Sequence, residues 1–404
     1  MIKYIGIGAN EFDTYLDYAI FNIIAIYLLH SDPLQLGILG ACFSLPFLFS
    51  SYLFGKLFDR YEIRRFRILL FSANACVIPF IGLGGSILVL YATAFIKTLV
   101  RSGINISNTK LNKDDEETSR FYEIYGYLIS ISRIIIPLIV IGAYGLWGIW
   151  FVVGLSVILN LVASLSTFLD HTQYHHSEIS QVTEPSESYS FLKIMLKKQE
   201  LGILVTAYTI SNLAFYLSND MLGIFFKVIG QDENSIGIII SLMGLGSFAG
   251  TKLASFLIKR IIAKSVLLYS ILTNATAFTC FGFLPSNTTS VLAFYSAIVI
   301  VGISSGITFF AVRYGVRNTV GYENVGKTTG IIQMLSALVA IIMPIIGGVI
   351  ANYYGIDTTF RITSIIFCIT LIYFILFVKK IKGSIYMYNS HKLSEINLPD
   401  SQSA

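Results

Sequence analysis

The feature that most limits how this 404-residue chain can fold is a succession of apolar segments, each long enough to cross ~30 Å of hydrocarbon. They run over residues 4–29, 34–58, 67–84, 87–109, 119–142, 145–169, 201–226, 235–258, 265–284, 290–312, 327–351 and 359–379. Backbone polar groups have no water to bond in a bilayer core, so segments of this length specify helices. The expected fold is an all-α membrane protein with twelve transmembrane helices in two six-helix halves. Composition agrees: 55% of residues are hydrophobic and 13% charged, against ~45–50% and ~25% in soluble domains. The net charge of +5 does not indicate a nucleic-acid partner, because the basic residues sit in short loops between apolar spans, where they orient the protein. The partners this composition implies are the lipid bilayer and a small molecule.

The loop FGKLFDRYEIRRFR, residues 54–67, gathers Lys56, Asp59, Arg60, Arg64, Arg65 and Arg67 into one turn. Later even-to-odd loops hold Lys110, Lys113 and Arg120, then Lys259, Arg260 and Lys264, then Arg313, Arg317 and Lys327. The odd-to-even loops GLGGS, AYGLWG and PSNTT, at 82–86, 143–148 and 285–289, are nearly uncharged. With Lys379, Lys380 and Lys382 in the tail, this bias puts both termini of a multi-pass plasma-membrane protein in the cytoplasm. Glu11, Asp13 and Asp17 interrupt the first apolar run and no small-residue cleavage site follows, so it reads as a retained helix. The domain reading is an N-terminal half over 1–169, a cytoplasmic linker over 170–199, a C-terminal half over 200–380 and a disordered tail over 381–404. His171, His175 and His176 in the polar linker read as solvated side chains, and Cys42, Cys76, Cys280 and Cys368 as small packing residues, so no metal site is expected.

Six ionisable residues fall deep in the spans: Glu11, Asp13 and Asp17 on helix 1, Lys97 and Arg101 on helix 4, and Arg133 on helix 5. Facing lipid they would cost on the order of 15–20 kcal/mol, more than the ~5–15 kcal/mol that holds a typical domain folded. They must pair or line water. Asn10, Asp13 and Asp17 share one stripe of helix 1, and Glu11, Tyr15, Tyr18 and Asn22 form another. Lys97, Arg101, Asn105 and Asn108 follow one another down helix 4, a polar stripe that expects a water-filled cavity. In the second half Asn212, Tyr216 and Asn219 line up on helix 7 beside Asp220, with Ser304, Ser305 and Thr308 on helix 10 and Gln333 on helix 11 as further hydrogen-bonding groups. The abundant aromatic residues of helices 7 and 10 read as packing.

The halves show faint self-similarity: Leu36-Gly37-Ile38-Leu39 answers to Ile236-Gly237-Ile238-Ile239, and Tyr15-Leu16 to Tyr216-Leu217. The loop GKLFDRYEIRR, Gly55 to Arg65, resembles the Gly-x-x-x-Asp-Arg-x-Gly-Arg-Arg signature that major facilitator transporters carry between helices 2 and 3, with Asp59, Arg60, Arg64 and Arg65 as the matching residues. It lacks the second glycine and has one extra residue. FIKTLVRSG carries Lys97 where that family usually has arginine, and SRIIIPLIVIG has Pro137 at a helix-bending position seen in exporters. GKTTGIIQMLSALVAIIMPIIGGVIANYYG, residues 326–355, is similar to helix 11 of the macrolide-efflux branch, which includes siderophore exporters. The resemblance implies two halves that rock about a midplane site, and a conformational latch formed by Gly55, Asp59, Arg60, Arg64 and Arg65. That latch is one-sided, because the equivalent loop of the second half offers Lys252, Lys259, Arg260 and Lys264 but no acid.

The resulting expectation is a monomeric secondary transporter that exports a small organic molecule by proton antiport, with the proton gradient in place of any cofactor. No G-x-x-x-x-G-K-[ST] motif for ATP occurs, and no nucleophile–base constellation suggests an enzyme. The proton-coupling candidates are Asp13 and Asp17 first, then Glu11 and Asp220. The substrate-cavity candidates are Lys97, Arg101, Arg133, Asn105, Tyr18, Asn22, Asn212, Tyr216, Asn219 and Gln333. An importer or lipid flippase of the same fold, or a membrane sensor or immunity protein that does not transport, are the rivals. A sensor would have no need of titratable midplane carboxylates. Substrate identity and charge are open at this stage, since helix 4 suits an anion and helix 1 a cation.

Overall fold

The computed structural model describes residues 2–50, 53–54, 57–58, 62–83, 85–108, 115–170, 195, 199–257, 263–285, 290–320 and 322–378. Within the first half, α1 spans Ile2–Ile23 and ends in a π-helical turn, Ile24–Leu28. It is followed by α2 at Pro33–Ser44, α3 at Ile63–Val77 and α4 at Ile87–Asn108. A single helical run from Asp115 to Leu169 breaks at Gly148, where φ is 73° and ψ is −176°. The arms on either side are α5 (115–147) and α6 (149–169). In the second half α7 is Gln199–Ser218, α8 Asn234–Leu257, α9 Ala263–Phe283, α10 Val291–Val320, α11 Tyr322–Tyr354 and α12 Ile356–Val378. Among the described residues, nine helices are long and apolar enough to cross a membrane, one of them the 42-residue run Leu128–Leu169 that contains the break. α1, which carries three acids, and the shorter apolar helix Pro33–Leu48 stand outside those nine.

Local chemistry explains the ends. The Asp32 side chain accepts from the Gln35 amide at 2.8 Å and the Gln35 side chain accepts from the Asp32 amide at 3.0 Å, a reciprocal cap that starts α2 with Pro33 in its first turn. Tight odd-to-even turns place one residue in the left-handed region: His30 at φ 49°, Gly148 at 73°, Gly230 at 85° and Gly355 at 87°. Two expected spans are corrected. The helix expected over 34–58 stops at Ser44 and tightens into a 3₁₀ turn, Leu45–Leu48, because Pro46 has no amide to continue the ladder. The helix expected over 201–226 is interrupted by a 3₁₀ turn, Asn219–Met221, before it resumes at Leu222–Val228.

Packing within the second half relies on glycine and phenylalanine. Gly246 and Gly250 of α8 lie against the backbone of α10, and Gly302 and Gly306 of α10 lie against that of α8, where any Cβ would collide. Such four-residue spacing of small residues lets membrane helices approach without a hydrophobic drive. Phe225, Phe281, Phe294 and Phe360 are buried against one another, with Phe225 and Phe294 edge to face at 4.9 Å. These aromatic residues of the seventh and tenth spans are core.

The halves meet along a seam of α2 with α11 and α5 with α8. Gly37 abuts the Pro344 carbonyl, Gly348 abuts Pro33 and Leu34, and Gly237 abuts Pro137 and Ile141. The Tyr27 hydroxyl crosses to donate to the Asp232 carbonyl at 2.8 Å and meets Ser235 Oγ at 3.2 Å. Lys227 donates to the Ile26 carbonyl and sits 2.9 Å from His30 Nδ1. These contacts gather at the end of the bundle formed by the odd-to-even turns, and they close it.

Candidate functional site

Four of the six intramembrane charges form one cluster. Lys97 Nζ of α4 lies 2.6 Å from Asp17 Oδ1 and 3.2 Å from Asp13 Oδ2 of α1. Arg101, one turn further along α4, reaches Asp13 Oδ2 at 3.2 Å and also bonds Asp17. Each acid therefore touches both bases and the cluster carries no net charge. It is closed to solvent: Asp13 is 0% exposed, Asp17 and Lys97 1%, and Arg101 7%. Ser156 of α6 donates to Asp13, sits 3.1 Å from Lys97, and offers its carbonyl to Asn160 Nδ2 at 2.9 Å. Sequence reasoning missed Ser156 and Asn160, since a serine and an asparagine in an apolar span carry no signal of their own.

The other two charges stand apart from this tetrad. Glu11, on the second stripe of α1, accepts from the Tyr125 hydroxyl of α5 at 3.1 Å and from Asn10 at 3.2 Å. Arg133 of α5 lays its aliphatic stem against Gly244 of α8 and makes no ion pair among the described residues. Pairing of all six, the expectation from their shared depth, is thus reduced to pairing of four.

A cavity of about 350 Å³ lies beside the tetrad, between α1 and the outer ends of α7 and α8. Tyr18 and Asn22 of α1 face Asn219 and Asp220 across it, and Ile236, Ile239, Ile240 and Met243 of α8 form its apolar wall. The 3₁₀ turn at Asn219–Met221 sets this geometry, because breaking α7 there turns the polar pair into the cavity. Asn219 Nδ2 donates to Asp220 Oδ1 at 3.0 Å. Among the described residues no cation contacts Asp220, whose Oδ2 fills the space left by the absent side chain of Gly40 in α2.

The remaining candidates are placed elsewhere. Asn212 donates to Ser336 Oγ of α11 at 3.0 Å, which ties α7 to α11. Tyr216 is in electrostatic reach of Asp220, and Gln333 is exposed on α11. Asn105 Oδ1 is buried with no hydrogen-bond partner among the described residues. Ser304 and Thr308 bond Ser270, joining α10 to α9. Of the latch, Gly55, Asp59 and Arg60 lie outside the described residues. Arg64 donates to the Thr167 carbonyl at 3.3 Å and to that of Phe168, so it caps the C-terminus of α6. Arg65 pairs with Glu62 at 2.7 Å on the exposed surface. Arg67, counted with the loop in the sequence, is instead 3% exposed, bonded to Ser107 and set over the Phe71 ring at 5.7 Å.

Two helical halves joined by a glycine seam, with a neutral ion-pair cluster in one and an open carboxylate between them, define a membrane carrier. The chain belongs to the Major Facilitator Superfamily, whose family model matches residues 9–313 and 204–385. It is accordingly a transporter and not an enzyme. No curated protein matches it by sequence. Its fold is similar to that of the nucleoside transporter NupG, with a TM-score of 0.74 at 11% identity over 94% of this chain and 100% of that one. It is also similar to a bacterial homolog of the human lysosomal transporter Spinster in an inward-facing, unoccupied conformation, with a TM-score of 0.71 at 15% identity over 93% and 96% of the two chains. The human organic anion transporter MFSD10 (TETRAN) superposes with a TM-score of 0.60 at 15% identity over 92% and 98%.

Proposed function

We propose that the protein exports a small organic molecule from the cytoplasm by proton antiport with alternating access, as a monomer in the plasma membrane with both termini inside. The observation that carries this reading is the contrast between its buried acids. Asp13 and Asp17 are each clamped by two cations, so a proton arriving there must first break an ion pair. Asp220 faces the cavity with Asn219 as its hydrogen-bond donor and no cation beside it among the described residues. A carboxylate so placed can take a proton from one side and give it up on the other, and the break in α7 is the kind of discontinuity that lines transporter sites. The tetrad then keeps α1, α4 and α6 moving as one body.

Export is supported by the likeness of residues 326–355 and of Pro137 to the efflux branch. It is supported further by the seam, which closes the end that charge bias assigns to the outside and leaves the cavity to be loaded from the cytoplasm. The test uses inverted vesicles acidified by respiration. A transported compound from a panel of toxic organic molecules should collapse the pH gradient in the wild type, and Asp220→Asn should abolish that collapse at equal protein level. Collapse that survives the substitution moves the proton to another acid, and a panel without effect removes antiport.

A further inference from the structure

We propose that the Asp220 end of the cavity is a subsite for a protonated primary amine, so that the substrate is an organic cation with an apolar body. The inference rests on the reading of Asp220 as an acid that exchanges its proton, and gives that exchange a competitor.

The polar groups at this end are acceptors in search of donors. Asp220 has room for about four hydrogen bonds as a carboxylate and receives one, from Asn219 Nδ2. Asn219 Oδ1 is buried and has no partner among the described residues, although an unpaired buried acceptor costs ~1–3 kcal/mol. An ammonium carries three N–H donors on one atom and no acceptor, so a single group can serve both Asp220 oxygens and Asn219 Oδ1. A carboxylate or phosphate would bring like charge and no donor, and a hydroxyl would bring one donor where two acceptor groups wait. A hard metal ion is a poor fit, since it takes about six oxygen ligands and the facing wall is Ile236, Ile239, Ile240 and Met243. That wall suits the hydrocarbon of an amphipathic amine.

The charges around the cavity agree with this polarity. The tetrad of Asp13, Asp17, Lys97 and Arg101 is neutral as a unit and neither attracts nor repels the ligand. Arg133 is in electrostatic reach of Tyr18 but makes no contact with Asp220 among the described residues. It therefore biases a cationic head toward Asp220 without neutralising that acid. Because Asp220 Oδ2 also fits against Gly40 of α2, an amine bound there sits at the seam between the halves. Proton and amine then exclude each other at one carboxylate, which is the exchange that antiport requires.

Four molecules with one body and different heads test this: phenethylamine, its trimethylammonium analogue, 3-phenylpropionate and 2-phenylethanol. Binding is read as thermal stabilisation of the purified protein in nanodiscs, with no gradient. Phenethylamine should stabilise, and the quaternary analogue, which keeps the charge but has no N–H, should bind about tenfold more weakly, ~1.4 kcal/mol. The acid and the alcohol should have no effect. Asp220→Asn and, separately, Asn219→Leu should each remove the preference for the primary amine. The wild-type head-group series stands even where a variant fails to fold. Equal stabilisation by the acid or alcohol, equal binding of the quaternary analogue, no response to any of the four, or an unchanged preference in a folded Asp220→Asn protein would overturn the subsite. Since binding is read without a gradient, amine recognition can fail while proton-driven flux of another solute persists, and the reverse outcome condemns antiport alone.

Discussion

Lys97→Met takes away the cation that holds both acids of α1, and its cost follows from the contacts. Lys97 is 1% exposed and approaches Asp17 at 2.6 Å, Asp13 at 3.2 Å and Ser156 at 3.1 Å. Two attractions at these distances amount to on the order of 10 kcal/mol at an effective dielectric constant near 20, and most of that is offset by the desolvation of the ions. What a single loss exposes is the remainder: two carboxylates sharing Arg101, with one uncompensated buried charge, a situation that costs ~3–5 kcal/mol. Adding Asp17→Asn restores neutrality and leaves Asp13 paired with Arg101 at 3.2 Å. The double substitution should therefore recover at least ~2 kcal/mol of the summed single losses. Denaturant unfolding of the detergent-solubilised protein, followed for both singles and the double, measures this. If the losses add to within ~0.5 kcal/mol, the four residues do not act as a unit.

Replacing Gly37 with leucine drives a side chain into the Pro344 carbonyl and should open the outer seam; a single cysteine at Ser235, 1% exposed in the closed state, should then label from outside faster than in the Gly37 background. Single cysteines at Ser86, Gly145 and Ser286 should label from outside in a protein lacking Cys42, Cys76, Cys280 and Cys368, whereas labelling of Ser188 from that side would reverse the topology. Asp59→Asn should leave expression intact and slow cycling, read as a fall in turnover without loss of binding. Arg64→Met should destabilise the protein by ~1 kcal/mol through the lost cap on α6, visible as a lower unfolding midpoint.

Much of this organisation was legible in the sequence. Apolar length set the spans, and helical spacing put Asp13 and Asp17 on one stripe and Lys97 and Arg101 on another, the pairs that meet in the structure. Other features had no linear signature. Ser156 and Asn160 reach the tetrad from α6, a helix with no charge in its span to mark it. The break in α7 falls at Asn-Asp-Met, with neither proline nor glycine to announce it, and is held by tertiary packing. Arg67 looked like one more loop base because only the third dimension shows Ser107 beside it. Arg133 shared its depth with the acids but not their side of the bundle, a distinction that periodicity within one helix cannot draw.

The seam has a consequence for how such a protein diversifies. Closure depends on bare glycine backbone meeting carbonyl groups at Gly37, Gly237 and Gly348, so it is specified by shape at a few positions and owes little to side-chain chemistry. The cavity wall contributed by Ile236, Ile239, Ile240 and Met243 belongs to a different face of the same helices. Substitutions in that wall can accumulate and retune which molecules are accepted while the closing motion is inherited unchanged, whereas a single added methyl group in the seam would disable the carrier for every cargo at once.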